Sequence, residues 1–436
     1  MKIFHLDEHA LRSSIEFAVA AEMALADSGA STDATPARSV DERALGERLF
    51  AFAAWSCLVE PGDSVAASLV AGLGPERALQ LVVDRAAPEQ VVAALASADA
   101  KRSSRVEWMP GAEASAIAEG ISRWRPRLSS VPVLQALAEA RRRGLRLIVP
   151  GSAAWPVALD DLGPHAPLCV WARGEVRTLV AGPAIAMVGA RAATSYGEHV
   201  AMEMSAELTA RGAVVVSGAA YGIDGMAHRA ALAAGGPTLA VLAGGVDRSY
   251  PAGHADLLDR VAADGVVISE LPPGAAPTRW RFLARNRLIA ALGQATVVVE
   301  AGWRSGSLNT AAHAATLGRP IGAVPGPVTS AASAGCHRLL REFDARCVTS
   351  ADEVLELIGA EPGPAVVRGS TSAVSQPRTD DTTRVVDALS VRSWRAASDV
   401  ARRTGMSVAD VEGVLGLLSL EGKAVRGDAG WRIARE

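Results

Sequence analysis

Residues 185–191 read Ile-Ala-Met-Val-Gly-Ala-Arg, a short apolar run that ends in a glycine turn and an arginine. The same pattern of apolar run, glycine turn and helical segment recurs as far as Leu340. Such a turn gathers free backbone N–H groups at the positive end of a helix, where a phosphate binds favourably. The repeated turns therefore predict a surface that follows a chain of phosphates; they are Val188–Arg191, Ser217–Asp224, Gly244-Gly245, Gly302–Ser307 and Pro325-Gly326.

The apolar runs predict a buried parallel sheet. Most of them are unbroken rather than alternating, which is typical of strands covered on both faces. Helical segments of about ten or more residues separate most of them, so we predict an α/β fold with an open, doubly wound, mostly parallel sheet over residues 131–358. Ligands of such sheets bind at the carboxyl ends of the strands. The predicted strands are Leu168–Ala172, Ile185–Val188, Val214–Val216, Thr238–Leu242, Val266–Ile268, Thr296–Val299 and Ile321–Val324.

Two regions precede this core and a linker follows it. Residues 1–40 predict an N-terminal extension, partly disordered, with one helix followed by a loop rich in Ser, Thr, Ala and Asp. Helical spacing of the apolar residues over 41–130, interrupted at Gly72–Pro75, predicts a small all-helical domain of the SAM or helix-hairpin-helix type. Val131–Gly144 is expected to be a helix that leads into Leu147–Pro150. Residues 359–381 are rich in Pro, Ser, Thr and Gly, and predict a flexible linker.

Residues 382–436 predict a winged-helix domain, because three short helices precede a hairpin at Val425–Ile433. The third helix has acidic residues and no basic one. A recognition helix in the major groove would need basic residues, so base contacts by this helix, and a role as a transcription regulator, are not favoured. A protein-contact role is favoured, while the basic wing at Arg426, Arg432 and Arg435 leaves DNA contact open. The helices are expected at Arg384–Trp394, Ala397–Gly405 and Ser407–Glu421, the last one beginning with Ser407 and Asp410.

Composition narrows the function classes. The formal net charge is −3 over 436 residues, so any basic surface must be local. All but three of the 44 basic residues are arginine. Arginine binds phosphate in a bidentate manner, which is one explanation for this excess; the explanation we favour is codon bias across the whole chain. Four cysteines without C-x-x-C spacing, and no apolar run near the roughly 20 residues of a membrane span, favour a cytoplasmic protein without membrane contact. No Walker sequence occurs, and the H-x-x-E-H match at His5–His9 is attributed to chance, so neither ATP hydrolysis nor a metal site is expected.

The segment Arg279–Arg287 is the sharpest local signal. Its four arginines, Arg279, Arg281, Arg285 and Arg287, are interleaved with Trp280 and Phe282. Phosphate contacts combined with stacking faces are typical of proteins that bind single strands without sequence preference. In a helix, Arg281 and Arg285 share a face while Arg287 points elsewhere. One arginine can therefore anchor the helix to a carboxylate such as Glu270 or Glu300 instead of touching DNA.

Two shorter motifs contribute candidates. Gly189 allows close approach of a phosphate and Arg191 supplies charge, while Ser217 and Gly218 can form a phosphate-binding nest. Asp224 is placed to cap the next helix, and His228 lies one turn later on the same face. A catalytic Asp–His pair is conceivable, but a capping and packing pair is favoured.

Taken together, the motifs resemble the DprA (Smf) family of DNA-processing proteins. The resemblance runs continuously and in order from about residue 131 to 358. The winged helix and the helical N-terminal region fit the family's layout more loosely. The matching motifs are Val188–Arg191, Ser195–Gly197, Ser217-Gly218, Gly222–Asp224, Ala227-His228, Gly244-Gly245, Tyr250-Pro251, Ser269-Glu270, Arg285–Arg287, Ser305–Ser307, Thr310-Ala311 and Pro325-Gly326.

This resemblance implies an extended Rossmann-like core that dimerises and binds single-stranded DNA without sequence preference. It further implies protection of that DNA, and loading of the recombinase RecA onto DNA coated by single-strand-binding protein, during natural transformation and recombination. No enzymatic turnover and no cofactor are expected. Three departures from the family pattern are Ala252 for a lysine, His254 for an asparagine and Leu283 for a proline. The residues carried over to the DNA groove are Gly189, Arg191, Ser217, Gly218, Gly244, Asn286, Arg287, Ser305 and Gly306.

An enzymatic alternative is a nucleotide phosphoribohydrolase of the lysine-decarboxylase-like fold, whose sheet and glycine turns are similar. That family pairs a glycine-rich loop with a glutamate for attack at the ribose. The comparable stretch here, Gly302–Ala312, offers no carboxylate. The DNA-binding hypothesis is therefore preferred.

Overall fold

The computed structural model of the chain describes residues 8–29, 41–99, 114–360, 381–420, 422–427 and 429–434. The chain divides into two compact units, residues 1–363 and residues 364–436. The predicted loop after the first helix, nearly all of the predicted linker, and Arg435 lie outside the described residues. Within the described part, no helix is both long and apolar enough to cross a membrane.

Seven helices lie ahead of the sheet in the described part of the chain, and local sequence explains their ends. The side chains of Asp41 and Asp63 cap two of them by accepting backbone N–H bonds, and Pro75 occupies the first turn of another. Gly144 ends the seventh in the left-handed conformation that glycine adopts readily. The helices are α1 (Glu8–Gly29), α2 (Glu42–Leu58), α3 (Ser64–Leu73), α4 (Pro75–Val83), α5 (Pro88–Asp99), α6 (Ala114–Trp124) and α7 (Ser130–Arg143).

A nine-stranded sheet follows, with the order β1-β2-β6-β5-β4-β3-β7-β8-β9. β1 and β2 pair antiparallel, β2 and β6 also pair antiparallel, and all other neighbours are parallel. This arrangement confirms the predicted doubly wound, mostly parallel sheet. The strands are β1 (Arg146–Ile148), β2 (Val170–Gly174), β3 (Ala184–Val188), β4 (Val214–Ser217), β5 (Thr238–Val241), β6 (Val266–Ser269), β7 (Ala295–Val298), β8 (Ile321–Ala323) and β9 (Arg346–Cys347).

Helices cover both faces of the sheet because successive residues of each strand point to opposite faces and both sets are apolar. In β3, Ile185 and Met187 pack towards α8 (Ser195–Ala210) and α9 (Ile223–Ala233), whereas Ala186 and Val188 belong to the core beneath α11 (Arg279–Leu292). Short 3-10 segments lie at Arg125–Arg127, Val157–His165, Val176–Val180 and Ala252–His254. The helices of this region are α8 (Ser195–Ala210), α9 (Ile223–Ala233), α10 (Ala255–Asp264), α11 (Arg279–Leu292), α12 (Ser307–Thr316), α13 (Ala334–Glu342) and α14 (Ala351–Leu357).

The N-terminal helices share a hydrophobic core with the sheet. Leu49, Phe50 and Trp55 of α2 belong to the same buried cluster as Trp171 of β2 and Val267 of β6. The indole Nε1 of Trp171 also donates a hydrogen bond to Ser56 Oγ at 3.1 Å. The helices predicted as a separate domain over 41–130 are therefore part of the same compact unit as the sheet.

The C-terminal unit is a winged helix, as predicted. It consists of α15 (Asp381–Ala388), α16 (Ala397–Thr404), α17 (Val408–Leu420) and a hairpin of β10 (Ala424–Gly427) and β11 (Gly430–Ile433). Ser407 Oγ accepts the backbone N–H of Asp410 at 3.1 Å, which confirms the predicted start of the third helix. The first helix was predicted to extend to Trp394 but ends at Ala388, because Arg395 instead pairs with Trp431 of the hairpin as a β-bridge.

Candidate nucleic-acid interface

The strand order reverses between β3 and β7, which lie side by side with later strands on either flank. In open α/β sheets the crevice outside the carboxyl ends of the strands at such a reversal is where ligands bind. The loop after β3 contains Gly189 and Arg191, and the loop after β7 contains Ser305 and Gly306. We call the loops 189–194, 218–222, 242–254 and 299–306, together with the first turns of α11, the rim.

Packing explains why the loop after β3 begins with a glycine. A Cβ on Gly189 would lie 2.5 Å from Ile223 Cγ1 and 2.9 Å from the carbonyl oxygen of Glu300. Glu300 is buried, and its carboxylate accepts bonds from Thr194 N at 2.9 Å and Thr194 Oγ1 at 2.6 Å. These contacts fix the loop and leave the Arg191 side chain exposed at its tip.

At the predicted phosphate-binding nest of Ser217 and Gly218, backbone N–H groups already bind a carboxylate of the protein itself. The Asp224 carboxylate accepts the N–H groups of Gly218 at 3.1 Å and Ala220 at 3.5 Å. Ser217 is fully buried, and its hydroxyl donates to the Met187 carbonyl at 2.6 Å. The prediction that these two residues offer free groups to a phosphate is therefore corrected.

Asp224 and His228 are structural, but not in the predicted way. The first helical residue of α9 is Ile223 and its cap is Gly222, so Asp224 lies inside the helix and binds the preceding turn instead of capping. Burial raises the pKa of the Asp224 carboxyl. His228 is fully buried with Nδ1 2.8 Å from Thr238 Oγ1, and burial lowers its pKa to about 3. Each residue thus has its own packing partner.

Arg285 is a buried structural residue beneath the rim. It is 6% exposed, and its Nη1 donates to the carbonyl of Gly218 at 2.8 Å and to that of Val241. These carbonyls lie at the ends of β4 and β5, so one guanidinium joins two neighbouring strand ends to α11. Burial lowers the pKa of Arg285 to about 10. Gly218 has no side chain because a Cβ there would overlap this guanidinium.

Three further residues of α11 predicted to contact DNA are engaged internally. Arg287 is buried and donates to Glu270 Oε1 at 2.8 Å and to the His165 carbonyl at 2.9 Å, which is the anchoring alternative raised from the sequence. Asn286 is buried against Gly306 and Asn309. Arg281 is mostly buried and forms a bidentate pair with Glu60, at 3.0 and 2.8 Å.

The physical reason is that α11 enters the core after its first turn. Residues 284–292 are all buried, whereas Arg279 and Trp280 are exposed in the first turn. The prediction that Arg285, Asn286 and Arg287 present free side chains to DNA is corrected accordingly. Although burial opposes it, the Arg281 guanidinium lowers the pKa of Glu60, with Arg127 acting in the same direction.

An arginine and two aromatic rings from three separate segments meet at the surface of the rim. The guanidinium of Arg191 lies over the Phe282 ring, 5.1 Å from its centroid, and the Tyr250 ring lies 5.4 Å from Phe282. Arg191 and Tyr250 are exposed and Phe282 is half-buried. Within the described residues, Arg191 has no ion-pair partner. We call Arg191, Tyr250 and Phe282 the stacking cluster.

The sequence analysis named Tyr250 only as part of a family motif and Trp280 only as an aromatic of the arginine-rich segment, and neither was among the predicted DNA-binding residues, although both are exposed. The available signal was an aromatic residue in a polar loop just after the turn Gly244-Gly245, and another in the first turn of an arginine-rich helix. Gly244 itself is buried, and a Cβ there would lie 3.0 Å from the Ala275 carbonyl oxygen, so its role is packing. It brings the loop that carries Tyr250 against the segment leading into α11.

The start of α12 reaches the surface at Gly306. This residue is exposed, precedes the first helical residue and has no atom within 4 Å of where its Cβ would lie. Ser305 and Ser307 contact each other through their hydroxyls at 2.8 Å. Ser305 Oγ also accepts the Ser307 N–H at 3.4 Å, and the carbonyls of Ser305 and Gly306 accept the N–H groups of Leu308 and Asn309. The part of this helix start that an anion can reach is therefore the exposed backbone of Gly306. Of the predicted residues, Arg191, Arg279, Phe282, Ser305 and Gly306 are therefore those that reach the surface of the rim.

Comparison with known proteins assigns both units. The family model "DNA recombination-mediator protein A" matches residues 146–359, and the model of the DprA winged helix domain matches residues 370–430. A DprA homologue of Mycobacterium tuberculosis is 49% identical over 312 residues, covering 67% of this chain and 78% of the homologue. The DNA processing protein DprA of Bacillus subtilis is 35% identical over 244 residues, covering 56% and 80%.

A solved structure supports the same assignment. The X-ray structure of DNA processing protein A from Streptococcus pneumoniae has a TM-score of 0.55 and 28% identity, and the match covers 71% of this chain and 96% of that one. Fold, winged helix and sequence thus agree. The chain belongs to the DprA (Smf) family of DNA-processing proteins.

Proposed function

We propose that this protein binds single-stranded DNA at the rim without sequence preference. The observation that carries the proposal is the stacking cluster, in which the exposed guanidinium of Arg191, which follows β3 at the topological switch point, meets two aromatic rings. Base stacking on aromatic rings tolerates any sequence because every base has a π-face. Membership in a family of DNA-processing proteins supports the same ligand class.

Each exposed group has a distinct role in this proposal. Arg191 and Arg279 bind phosphates, and Phe282 and Tyr250 stack against bases. A further phosphate binds at the start of α12, where the Gly306 N–H and the Ser305 hydroxyl donate to it. The buried residues contribute indirectly, because Arg285 and Arg287 hold α11 against the strand ends and so set the position of Phe282.

A fluorescence anisotropy titration tests this function. Labelled single strands of poly-dT, poly-dA and mixed sequence are expected to bind with similar affinity, and all of them more tightly than a duplex of equal length. Affinity should fall steeply with salt, since phosphate contacts release counterions. Equal affinity for single and double strands, or binding that salt does not weaken, would remove the proposal.

The further steps of the proposed function are assembly and delivery. The protein acts in the cytoplasm as a homodimer that protects incoming single strands and loads RecA onto DNA coated by single-strand-binding protein, during natural transformation and recombination. The family description, DNA recombination-mediator protein A, supports this role. Light scattering measures the dimer. A RecA pull-down and RecA filament assembly on coated DNA measure delivery, and no effect of the protein on assembly would contradict it.

A further inference from the structure

A cleft of about 630 Å³ lies between the N-terminal helices and the loops that follow β5 and β6. One wall comes from α7 and the end of α2, with Gln135, Glu139 and Arg142 among its residues. The opposite wall comes from the loops 247–248 and 271–275. The cleft also includes Arg281 of α11, the residue next to Phe282 of the stacking cluster. Its volume is in the range of small-ligand sites.

Five arginines give the cleft a positive charge. Arg142 and Arg143 share the single carboxylate of Glu139, and Arg127 and Arg281 share that of Glu60. Arg248 lies 3.6 Å from Asp247, whose other oxygen accepts the Gly274 N–H. Each of these three carboxylates is thus matched by at least one guanidinium, and two guanidinium charges are left without a carboxylate.

The excess charge fits a phosphate monoester better than a phosphodiester. A terminal phosphate carries close to two negative charges at neutral pH, whereas an internal phosphodiester carries one. Arginine is suited to such a group because its planar donors bind phosphate oxygens in pairs. Arg142 has 70% of its side chain exposed and Arg127 has 43%, so both can turn towards a ligand while Glu139 and Glu60 keep their other partners.

The remaining surface of the cleft suits a sugar and a base. Leu271, Pro272, Pro273 and Pro132 present apolar surface next to the arginines. The loop that carries Arg248 into the cleft also carries Tyr250 to the stacking cluster. A strand bound at the rim can therefore reach the cleft with its end.

We propose that this cleft binds a nucleotide through a terminal phosphate monoester. The proposal rests on the proposed function in one respect, namely that the nucleotide belongs to the strand held at the rim. A free deoxynucleoside monophosphate has the same chemistry and is the other possible source. The cleft is thus an end-recognition site beside the rim.

Anisotropy with three poly-dT oligonucleotides tests the proposal: one with a 5′-phosphate, one with a 3′-phosphate and one with hydroxyls at both ends. One phosphorylated form is expected to bind the full-length protein about fivefold more tightly than the hydroxyl form, the size of effect that exposed ion pairs give. The double variant Arg127→Gln/Arg142→Gln should abolish this preference while its affinity for the hydroxyl form changes less than twofold. Arg141→Gln is the matched control, because Arg141 lies on the same exposed helix end but does not line the cleft.

Calorimetry with deoxythymidine monophosphate alone reads the cleft independently of the rim. If the mononucleotide still binds to Arg191→Ser but no longer binds to the double variant, the cleft binds a free nucleotide. This result would hold even if the rim bound no DNA. A second variant, Gln135→Glu, adds a negative charge to the cleft and should weaken the same interaction. The proposal is overturned if neither a phosphorylated end nor the mononucleotide distinguishes the parent from the double variant.

Discussion

At the scale of single residues, the arginines of α11 fall into an exposed group and a buried group, and the two groups have different roles. Arg285 is the most informative because its guanidinium is buried and bound to two strand-end carbonyls. Arginine contributes here to the architecture of the rim rather than to its ligand. Replacing it should therefore affect stability first.

We predict that Arg285→Met lowers the free energy of unfolding by about 2–4 kcal/mol, because the buried carbonyls of Gly218 and Val241 lose their donor. Urea denaturation measures the change. Arg279→Met, in the exposed first turn of the same helix, is the control and should shift stability by less than about 0.5 kcal/mol. Equal effects of the two substitutions would refute the assigned difference in burial.

His228 should make the fold sensitive to mild acid. Its native pKa is about 3, compared with an ordinary value of 6.5, because burial disfavours the charged ring. Below pH 6.5 the imidazole is therefore protonated in the unfolded chain but remains neutral in the native state. The free energy of unfolding falls as the pH falls, by up to about 1.4 kcal/mol per pH unit. Unfolding measured from pH 7 to 5 should show a smaller slope for His228→Gln than for the parent; identical slopes would contradict this account.

Single residues also mark the limit of what the sequence could predict. Helical spacing separated Arg287 from Arg281, and Glu270 or Glu300 was named as a carboxylate that could anchor one of the arginines. In the structure Arg287 binds Glu270, whereas Glu300 binds Thr194. Which turn of the helix enters the core depends on how α11 lies across the sheet, and that is a tertiary property. The binding of Asp224 to the predicted nest at Ser217 and Gly218 was hidden for a similar reason, since it depends on α9 beginning two residues earlier than predicted.

At the scale of elements, α11 and the N-terminal helices form one structural assembly. Arg281 pairs with Glu60 just after α2, and Glu270, the partner of Arg287, also accepts the Gly62 N–H at 3.1 Å. The helices also cover Trp171 and Val267 of the sheet. They therefore support both the sheet and the position of α11.

Removing residues 1–128 should consequently impair the core itself. The loss uncovers Trp171, which is fully buried in the intact chain, together with its neighbours in β5 and β6. We expect a truncated protein that melts at a lower temperature than the full chain and binds the dye ANS. The melting transition and ANS fluorescence measure this. A truncated protein as stable as the parent would show that the helices are an independent domain.

The helices and strands were easier to predict from the sequence than the way in which they pack together. Continuous apolar runs and regular spacing gave the strands and their parallel pairing, because both follow from local pattern. The shared core of helices and sheet has no signature in local pattern, so the region 41–130 was predicted as a separate domain. The first helix of the winged unit was extended too far because the bridge between Arg395 and Trp431 is formed by residues distant in sequence.

At the scale of the whole molecule, a net charge of −3 coexists with a local cationic rim. Binding through that rim should depend on the few exposed arginines rather than on total charge. We predict that Arg191→Ser reduces the slope of log affinity against log salt concentration by about 0.7, the value for one phosphate contact on a single strand. Anisotropy between low and moderate salt gives the slope, and an unchanged slope would mean that Arg191 contacts no phosphate.

The location of the rim follows from topology that the sequence largely predicted. Glycine turns at successive strand ends indicated one edge of the sheet, and the reversal of strand order between β3 and β7 places the crevice there. The stacking cluster was harder to foresee, since Arg191, Tyr250 and Phe282 come from three segments that only the folded chain brings together.

One comparison tests most directly whether single-stranded DNA binds at the stacking cluster. The dissociation constant of a labelled poly-dT strand is measured for the parent, for Phe282→Ala and for Arg260→Ser, an exposed arginine in the second half of α10 and outside the rim. Loss of one stacked base costs about 1–3 kcal/mol, so Phe282→Ala should weaken binding by about fivefold or more, whereas Arg260→Ser should change it less than twofold. Binding by Phe282→Ala within twofold of the parent, with the fold intact by circular dichroism, would contradict the account.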